Sequence, residues 1–219
     1  MRIAFDLDGT LYDSVAAVLE LDNDIFRRFG YLPIEREFYK RNFQSHDWKK
    51  LYSDLGIREA DIPAVIDLFK REFDNVEPPR LISGAREVVD AVHQHVGDDR
   101  LYFVTNEPAH RVEKRFKRDG FERHLQRVHS PFQGKAKELH ALAVQQCHRP
   151  FVYIGDLVSD GEACRAARNN GASNLRFYAI LHEYSMNLRE DLQYFVDANP
   201  DFAKTVECLE DVVKLVLHN

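Results

Sequence analysis

The chain has 219 residues, of which 44% are hydrophobic and 30% are charged, and its formal net charge is −6. These values are ordinary for a globular enzyme, and an acidic chain is not expected to bind nucleic acid. No apolar run approaches the roughly 20 residues of a membrane span, and the residues before the first strand leave no room for a signal peptide. We therefore predict a cytoplasmic protein with no membrane partner. The three cysteines, Cys147, Cys164 and Cys208, are widely spaced and are predicted to be free thiols.

The N-terminal third of the chain is predicted to contain one strand followed by helices. Ile3 and Phe5 form a short apolar strand, which Gly9-Thr10 ends. Apolar residues at helical spacing then continue as far as the Pro78-Pro79 pair, and helices are expected over 15–26, 36–52 and 60–73.

Beyond the two prolines, strands and helices alternate. Strands are predicted at 101–104, 127–129, 151–154 and 175–181, and helices over 85–95, 110–120, 136–146, 161–170 and 206–217. This alternation is typical of right-handed βαβ units in a mostly parallel sheet. We therefore predict an α/β protein whose core domain comprises 1–13 and 80–219, with a helical domain inserted at 14–79.

Polar side chains follow three of the predicted strands. Asp6 and Asp8 are two positions apart at the end of the first strand, so their side chains point the same way. Thr105-Asn106 and Gly155-Asp156 end two later strands. The ends of parallel strands meet at one edge of a sheet, where such folds bind ligands. A polar turn would also explain Asp6 and Asp8 alone, but two close carboxylates are costly unless a cation or a shared proton relieves them.

These segments resemble the motifs of the haloacid dehalogenase-like (HAD) hydrolase superfamily. Asp6-Leu7-Asp8-Gly9-Thr10-Leu11 is similar to its first motif and Val104-Thr105-Asn106 to its second, Lys135 fits the third, and Gly155-Asp156-Leu157-Val158-Ser159-Asp160 fits the fourth. The motifs occur in the family's order between about Arg2 and Gly171. The resemblance implies a Rossmann-like core with a small all-helical cap after the first motif, as in the phosphoglycolate-phosphatase-like subgroup.

The resemblance implies covalent phosphoryl transfer. Asp6 would attack phosphorus to give an aspartyl-phosphate that water then hydrolyses. Asp8 would protonate the leaving alkoxide and then take a proton from the attacking water. Family dehalogenases lack the second aspartate, so Asp8 favours phosphate esters as substrates.

The resemblance also implies a magnesium site. Asp6, the backbone carbonyl of Asp8, and Asp156 would bind Mg²⁺, which prefers hard oxygen ligands. Asp160 would support the water ligands of the metal or orient Lys135. Alternatively, Asp156 is a helix N-cap and Asp160 a favourable charge in the first turn of that helix.

The remaining motif residues are candidates for phosphate binding. The hydroxyl of Thr105, together with Asn106, would contact the phosphoryl group, and Lys135 would neutralise it and the nucleophile. Thr105 could instead cap a helix. Lys137, two residues further on, is the alternative to Lys135, which is preferred because it follows Gly134 directly and precedes an apolar helix face. Ala136 stands where the family often has proline.

The helical insertion carries candidate substrate contacts at Arg41, His46, Lys49 and Lys50, although each fits a solvated helix face equally well. Trp48 is expected in the core of the insertion. The loop at 182–186 is expected to be irregular and without a catalytic role.

The sequence thus predicts a Mg²⁺-dependent phosphatase acting on a small phosphorylated metabolite. A phosphosugar mutase and a silent phosphate-binding or regulatory protein are alternatives. A phosphonate hydrolase would need a Schiff-base lysine, and nothing in the sequence around Lys40, Lys49 or Lys50 indicates a lowered pKa. The sequence identifies neither the substrate nor the oligomeric state.

Overall fold

The core of the protein is a parallel six-stranded sheet. The structure is a computed structural model that describes residues 1–43, 47–131 and 134–217. The strands have the spatial order β3-β2-β1-β4-β5-β6, and every neighbouring pair is parallel. Their bounds are β1 Arg2–Phe5, β2 Leu101–Val104, β3 Val128–His129, β4 Phe151–Gly155, β5 Leu175–Ile180 and β6 Ala203–Val206. The predicted α/β fold with a parallel sheet is confirmed.

Helices connect the strands and cover the sheet. Four of the described helices lie between β1 and the Pro78-Pro79 pair: α1 Ser14–Arg28, α2 Arg36–Asn42, α3 Trp48–Asp54 and α4 Ile62–Phe73. The others are α5 Ala85–Val96, α6 Ala109–Arg118, α7 Lys135–Gln145, α8 Val158–Asn169, α9 Arg189–Asp197 and α10 Leu209–Leu217, with a short 3₁₀ helix at Glu122–Arg127. No helix of the described ranges is long and apolar enough to cross a membrane.

The sheet has a hydrophobic layer on each face. Side chains alternate along a strand, so Ile3 and Phe5 pack with α5, α6 and α10, whereas Ala4 packs with α7, α8 and α9. Burial on both faces explains why β1, β2 and β4 are almost wholly apolar. The polar ends of these strands therefore lie at one edge of a rigid, well-packed sheet.

Helices α1 to α4 pack around a hydrophobic cluster of their own. Val15, Phe26, Tyr52 and Phe69 are among its buried residues, and Met186 from the loop after β5 joins them. Trp48 is partly buried against this cluster and packs on Phe69, with their ring centroids 4.9 Å apart. The expectation that Trp48 is a core residue of the insertion is confirmed.

The structure differs from the sequence predictions in four places, one of which is that the last helix, expected over 206–217, begins at Leu209 because Val206 ends β6. The single helix expected over 36–52 is wrong: α2 ends at Asn42, and the side chain of Asp47 accepts a hydrogen bond from Lys50 N (3.1 Å) and begins α3. Helix α8 starts three residues earlier than expected, at Val158. Helix α9 and strand β6 were not predicted, because α9 buries only Leu192, Phe195 and Val196 and β6 is a short edge strand.

A buried carboxylate joins three helices of the insertion. Asp22 on α1 is fully buried, and its two oxygens accept hydrogen bonds from Tyr52 OH (2.6 Å) on α3 and Tyr39 OH (3.0 Å) on α2. Burial raises the pKa of Asp22 to about 7, although both hydroxyl donors oppose the shift. The folded protein thus binds the Asp22 proton more tightly than the unfolded chain does.

We expect this proton to make stability depend on pH. An unfolded aspartate has a pKa of about 4, whereas Asp22 in the folded protein has a pKa of about 7. As the pH rises between these two values, Asp22 ionises in the unfolded chain but not in the folded protein. This difference lowers the free energy of unfolding by a few kcal/mol at most. The Asp22→Asn protein should lack this loss, so its stability relative to wild type should rise with pH across the window. Denaturant titrations at several pH values measure it.

Asp24→Asn is the matched control, because Asp24 lies on the same helix with its side chain 49% exposed and pairs with Arg27 at the surface. Its stability relative to wild type should hardly change with pH. A similar response of both variants would contradict the assignment to Asp22.

Candidate active site

The ends of β1 and β4 bring three carboxylates together. The two strands are neighbours, with Phe5 paired to Ile154, and Asp6 N donates to Ile154 O at 2.8 Å. One carboxylate oxygen from each of Asp6, Asp156 and Asp160 lies within 4.8 Å of the other two. All three residues are buried. The parallel sheet thus places the ends of the first and fourth motifs side by side.

Lys135 lies against this carboxylate cluster. Its Nζ donates to Asp6 Oδ2 at 3.1 Å and to Asp160 Oδ1 at 2.7 Å. Lys135 is the first residue of α7 and is buried, whereas Lys137 is exposed. Of the two lysines that the sequence leaves open, the geometry favours Lys135 as the partner of Asp6.

The crowded carboxylates perturb one another. Burial raises the pKa of Asp6 well above its ordinary value, and the charges of Asp160 and Asp156 add to this, while Lys135 opposes it. Burial and the charge of Asp160 also raise the pKa of Asp156 to about 7. For Lys135, the two carboxylates outweigh burial and raise its pKa. One ammonium only partly offsets three buried carboxylates, which is the situation that a bound cation relieves.

Asp156 is not the N-cap of the following helix. Its Oδ1 accepts from Thr10 Oγ1 at 3.0 Å, and its Oδ2 accepts from Met186 N at 2.6 Å. Asp160 carries out the capping instead, because its Oδ2 accepts from Leu157 N at 3.2 Å, directly before α8. The loop at 182–186 is irregular as expected, but Met186 within it fixes the Asp156 carboxylate.

The cluster fits a divalent cation. Oδ1 of Asp6 is buried and has no hydrogen-bond partner among the described residues. The donor atoms are carboxylate oxygens, the type that Mg²⁺ prefers. Gly9 lies directly against the cluster, because a Cβ at this position would be 2.1 Å from Asp156 Oδ2. A hard cation at the free oxygen of Asp6 would satisfy that atom.

Gly9→Ala should therefore be strongly destabilising. Gly9 has φ +72°, which L residues rarely adopt, and the new methyl group would collide with Asp156. The unfavourable backbone conformation alone should lower the free energy of unfolding by about 1 kcal/mol. Displacement of a buried, hydrogen-bonded carboxylate should bring the total decrease to about 3 kcal/mol. Denaturant unfolding measures it.

Gly30→Ala separates the two effects, since Gly30 has φ +80° and nothing within 4 Å of an added Cβ. The free energy of unfolding of Gly30→Ala should fall by about 1 kcal/mol only. Equal losses in the two variants would show that the contact with Asp156 does not matter.

The second motif is buried at the end of β2, the other neighbour of β1. Thr105 is 1% exposed, and its Oγ1 accepts from Glu107 N at 3.1 Å, which stabilises the turn before α6. The hydroxyl proton remains to be donated. Oδ1 of Asn106 is buried without a hydrogen-bond partner in the described part of the chain. Thr105 is not the N-cap of α6, which is Pro108.

Asp8 is held by residues that the sequence did not indicate. Arg115 Nη1 on α6 donates to Asp8 Oδ1 at 2.7 Å, and Arg115 Nη2 lies 2.9 Å from Glu107 Oε1. Arg111 also donates to Glu107. The spacing of Arg111 and Arg115 places them on the same helix face as the buried Val112. This placement was a weak sequence signal, because charged residues at such spacing are usually solvated.

The candidate contacts of the helical insertion that the structure describes are exposed or paired at the surface. Arg41 is exposed, Lys49 pairs with Glu59, and Lys50 pairs with Asp54 on the surface of the insertion. His46 lies outside the described residues. For Lys49 and Lys50, the solvated-face alternative is the one that the structure favours.

Lys40 differs from these lysines in a way that no local sequence pattern indicates. It is 7% exposed, its Nζ donates to Glu183 O at 3.5 Å, and burial lowers its pKa. Lys40 and Glu37 line a cavity of about 190 Å³ together with the segment 181–192. His182 also lines this cavity, and its Nε2 lies 3.3 Å from Thr10 O in the first motif. Helix α2 therefore places an ammonium group beside the segment 181–192.

Comparisons with solved structures agree with this architecture. A HAD family hydrolase from Deinococcus radiodurans R1, with bound phosphate and sodium, has a TM-score of 0.73 at 16% identity over 96% of this chain and 92% of its own. A predicted phosphoglycolate phosphatase from Haemophilus somnus has a TM-score of 0.69 at 18% identity over 98% and 96%. A predicted phosphatase from Clostridium acetobutylicum has a TM-score of 0.68 at 16% identity over 99% and 98%. At these identities the likeness shows the fold alone.

The family follows from a sequence comparison. No curated protein matches the chain. The model of the family described as haloacid dehalogenase-like hydrolase matches residues 3–172, which include all four motifs. The chain belongs to the haloacid dehalogenase-like hydrolase family.

Proposed function

We propose that this protein is a Mg²⁺-dependent phosphatase that hydrolyses a small phosphate monoester through a phosphoryl group held transiently on Asp6. One observation carries the proposal: Asp6 is buried with Lys135 Nζ on one carboxylate oxygen, while the other oxygen has no partner in the described residues. An ordinary structural aspartate would have both oxygens satisfied. A free oxygen beside a cation suits a carboxylate that must bind a metal and attack phosphorus.

Asp6 and Lys135 have complementary tasks in this proposal. A carboxylate attacks a phosphate dianion poorly, because the two negative charges repel. Lys135 is held at 2.7 Å from Asp160, so its ammonium stays in place while its other hydrogen bond points at Asp6. It would offset the charge of the phosphoryl group as that group approaches. Splitting the hydrolysis into two displacements at Asp6 lowers each barrier.

Asp6, Asp156 and the backbone carbonyl of Asp8 would hold the magnesium ion. When bound, the ion would neutralise charge on the phosphoryl oxygens. Thr10 Oγ1 and Met186 N fix the orientation of the Asp156 carboxylate, which prepares it as a ligand. Asp160, through its bond to Lys135, orients the ammonium.

Asp8, Thr105 and Asn106 would act on the substrate itself. Asp8 would give a proton to the leaving alkoxide and later take one from water. The hydroxyl of Thr105 and the amide of Asn106 lie at the end of β2, where both can donate to phosphoryl oxygens. The phosphate bound in the Deinococcus radiodurans hydrolase supports a phosphoryl site in a protein of this fold.

The helical insertion, 14–79, would be a cap over this site. Its own hydrophobic cluster and its connection at the end of β1 support this role. Lys40 is buried, lines the cavity beside the segment 181–192 and donates from Nζ to Glu183 O at 3.5 Å, and it would recognise an anionic group of the substrate. Closing a cap excludes water from the reacting groups.

The proposal is tested with a panel of phosphorylated metabolites and an aryl phosphate, assayed with Mg²⁺ for release of inorganic phosphate. We expect phosphate release that depends on the metal. Transfer of the phosphoryl group back to a sugar phosphate, with little net phosphate, would indicate a mutase instead. Mg²⁺ binding with no turnover on any ester would indicate a regulatory protein.

A further inference from the structure

The buried pair Glu107–Arg115 connects the second motif with the second aspartate of the first motif. Glu107 N donates to Thr105 Oγ1 at 3.1 Å, and its carboxylate lies 2.9 Å from Arg115 Nη2. Arg115 Nη1 in turn donates to Asp8 Oδ1 at 2.7 Å. One guanidinium therefore bridges the carboxylate after the second motif and the second aspartate of the first motif.

Both Nη atoms of Arg115 have carboxylate partners, whereas its Nε is buried without a hydrogen-bond partner in the described part of the chain. Its side chain is 2% exposed, and its guanidinium lies 5.3 Å from the ring centroid of Tyr12. Glu107 is held a second time by Arg111, whose guanidinium stacks over Phe73. A guanidinium whose two Nη atoms bind two different carboxylates has few alternative orientations, so Arg115 sets the orientation of Asp8.

The two carboxylate oxygens of Asp8 therefore have different surroundings. Oδ1 is bound to Arg115, whereas the other oxygen has no hydrogen-bond partner among the residues described, and the side chain is 31% exposed. A carboxylate that exchanges protons with a substrate must present one oxygen at a defined place. The ion pair leaves that one oxygen open.

We infer that Arg115, anchored by Glu107, is a positioning residue that aims the free oxygen of Asp8 at the leaving group. This inference rests on the proposed function, in which Asp8 is the acid and base. Arg115 itself need not touch the substrate. Its effect should therefore depend on how much the leaving group needs a proton.

The test compares two substrates of one enzyme. An alkyl phosphate needs protonation of its leaving oxygen, whereas 2,4-dinitrophenyl phosphate does not. The value of kcat/KM reports steps up to the first phosphoryl transfer. In Arg115→Met, we expect kcat/KM for the alkyl ester to fall about 30-fold and for the aryl ester by less than about 3-fold, since general acid catalysis contributes roughly 10²-fold or more.

Three further variants separate the explanations. Asp8→Asn should show the same preference for the aryl ester, more strongly. In the Asp8→Asn background, Arg115→Met should not change the ratio of the two kcat/KM values further. Arg118→Met is the control, because Arg118 lies on the same helix but donates to Pro78 O and Pro79 O. Its ratio should equal that of wild type.

Glu107→Gln serves as the second variant if Arg115→Met does not fold, which thermal denaturation shows. It weakens the anchor while leaving Arg115 and Asp8 in place, and the alkyl ester should lose about 5-fold more than the aryl ester. Equal losses on both esters in the folded Arg115 or Glu107 variant would overturn the inference, and would indicate a guanidinium that binds the phosphoryl group or only supports the fold. An unchanged ratio in Asp8→Asn would overturn the proposed role of Asp8 and the inference with it.

Discussion

Replacing Asp6 by Asn is expected to lower kcat for phosphate release by on the order of 10⁴-fold or more, the usual scale for loss of a covalent nucleophile. The amide has almost the same shape and its oxygen can still accept from Lys135, but it cannot form the acyl phosphate. Steady-state assays with the aryl ester and Mg²⁺ measure the effect.

The fold of the Asp6→Asn protein should persist. Lys135 keeps Asp160 as a partner at 2.7 Å, and burial together with the neighbouring carboxylates makes the Asp6 charge costly, as its raised pKa shows. Thermal stability should therefore be equal to wild type or higher. Full activity in this variant would remove Asp6 from the mechanism. Inactivity together with unfolding would contradict the energetic account of the cluster.

Replacing Asp156 by Asn is expected to weaken Mg²⁺ binding by at least about 100-fold, because the metal loses a charged ligand. Thr10 Oγ1 and Met186 N both donate to this carboxylate, so the amide nitrogen of Asn would also face a donor and rotate the group. Calorimetric titration with Mg²⁺ measures affinity directly, and the Mg²⁺ concentration for half-maximal activity should rise in parallel.

Asp201→Asn is the control for charge alone, since Asp201 is a surface residue paired with Arg168, with its side chain 69% exposed. Its Mg²⁺ affinity should match wild type. EDTA should abolish wild-type activity, and added Mg²⁺ should restore it. Turnover that resists EDTA, or an Asp156→Asn protein with unchanged Mg²⁺ affinity, would contradict the metal assignment.

The sequence predicted those parts of the site that come from local patterns. Asp6 and Asp156 each follow an apolar strand, and parallel pairing of those strands is enough to bring them together. The assignment of Lys135 required more than a local pattern, because both Lys135 and Lys137 are near the start of a helix. Only the direction of the first turn of α7 shows which of them is buried against the carboxylates.

The supporting residues could not be predicted, because their partners are far away in the chain. Arg115 and Asp8 are 107 positions apart, and Thr10 and Asp156 are 146 apart. Arginines on a charge-rich helix are usually solvated, so the spacing of Arg115 from Val112 is only a weak local sign that Arg115 is buried. Lys40 is a similar case, since its burial depends on the segment after β5.

Local patterns also failed where an element is short or lies at an edge. Strand β6 has only Ala203 and Val206 buried, which is too weak an apolar pattern to stand out. The break between α2 and α3 depends on Asp47 as a cap inside a sequence with continuous helical spacing. The division into a core and a cap remains a proposal, which rests on the separate hydrophobic cluster of α1 to α4.

The most direct test of the central claim is to locate the phosphoryl group during turnover. In Asp8→Asn, 2,4-dinitrophenyl phosphate should still phosphorylate the enzyme, but hydrolysis of the intermediate should be slow because its base is missing. Acid quenching after the burst of nitrophenolate, followed by peptide mass spectrometry, should find one phosphoryl group on Asp6. Nitrophenolate release with no phosphoryl group on Asp6, or with the group on another residue, would contradict the account.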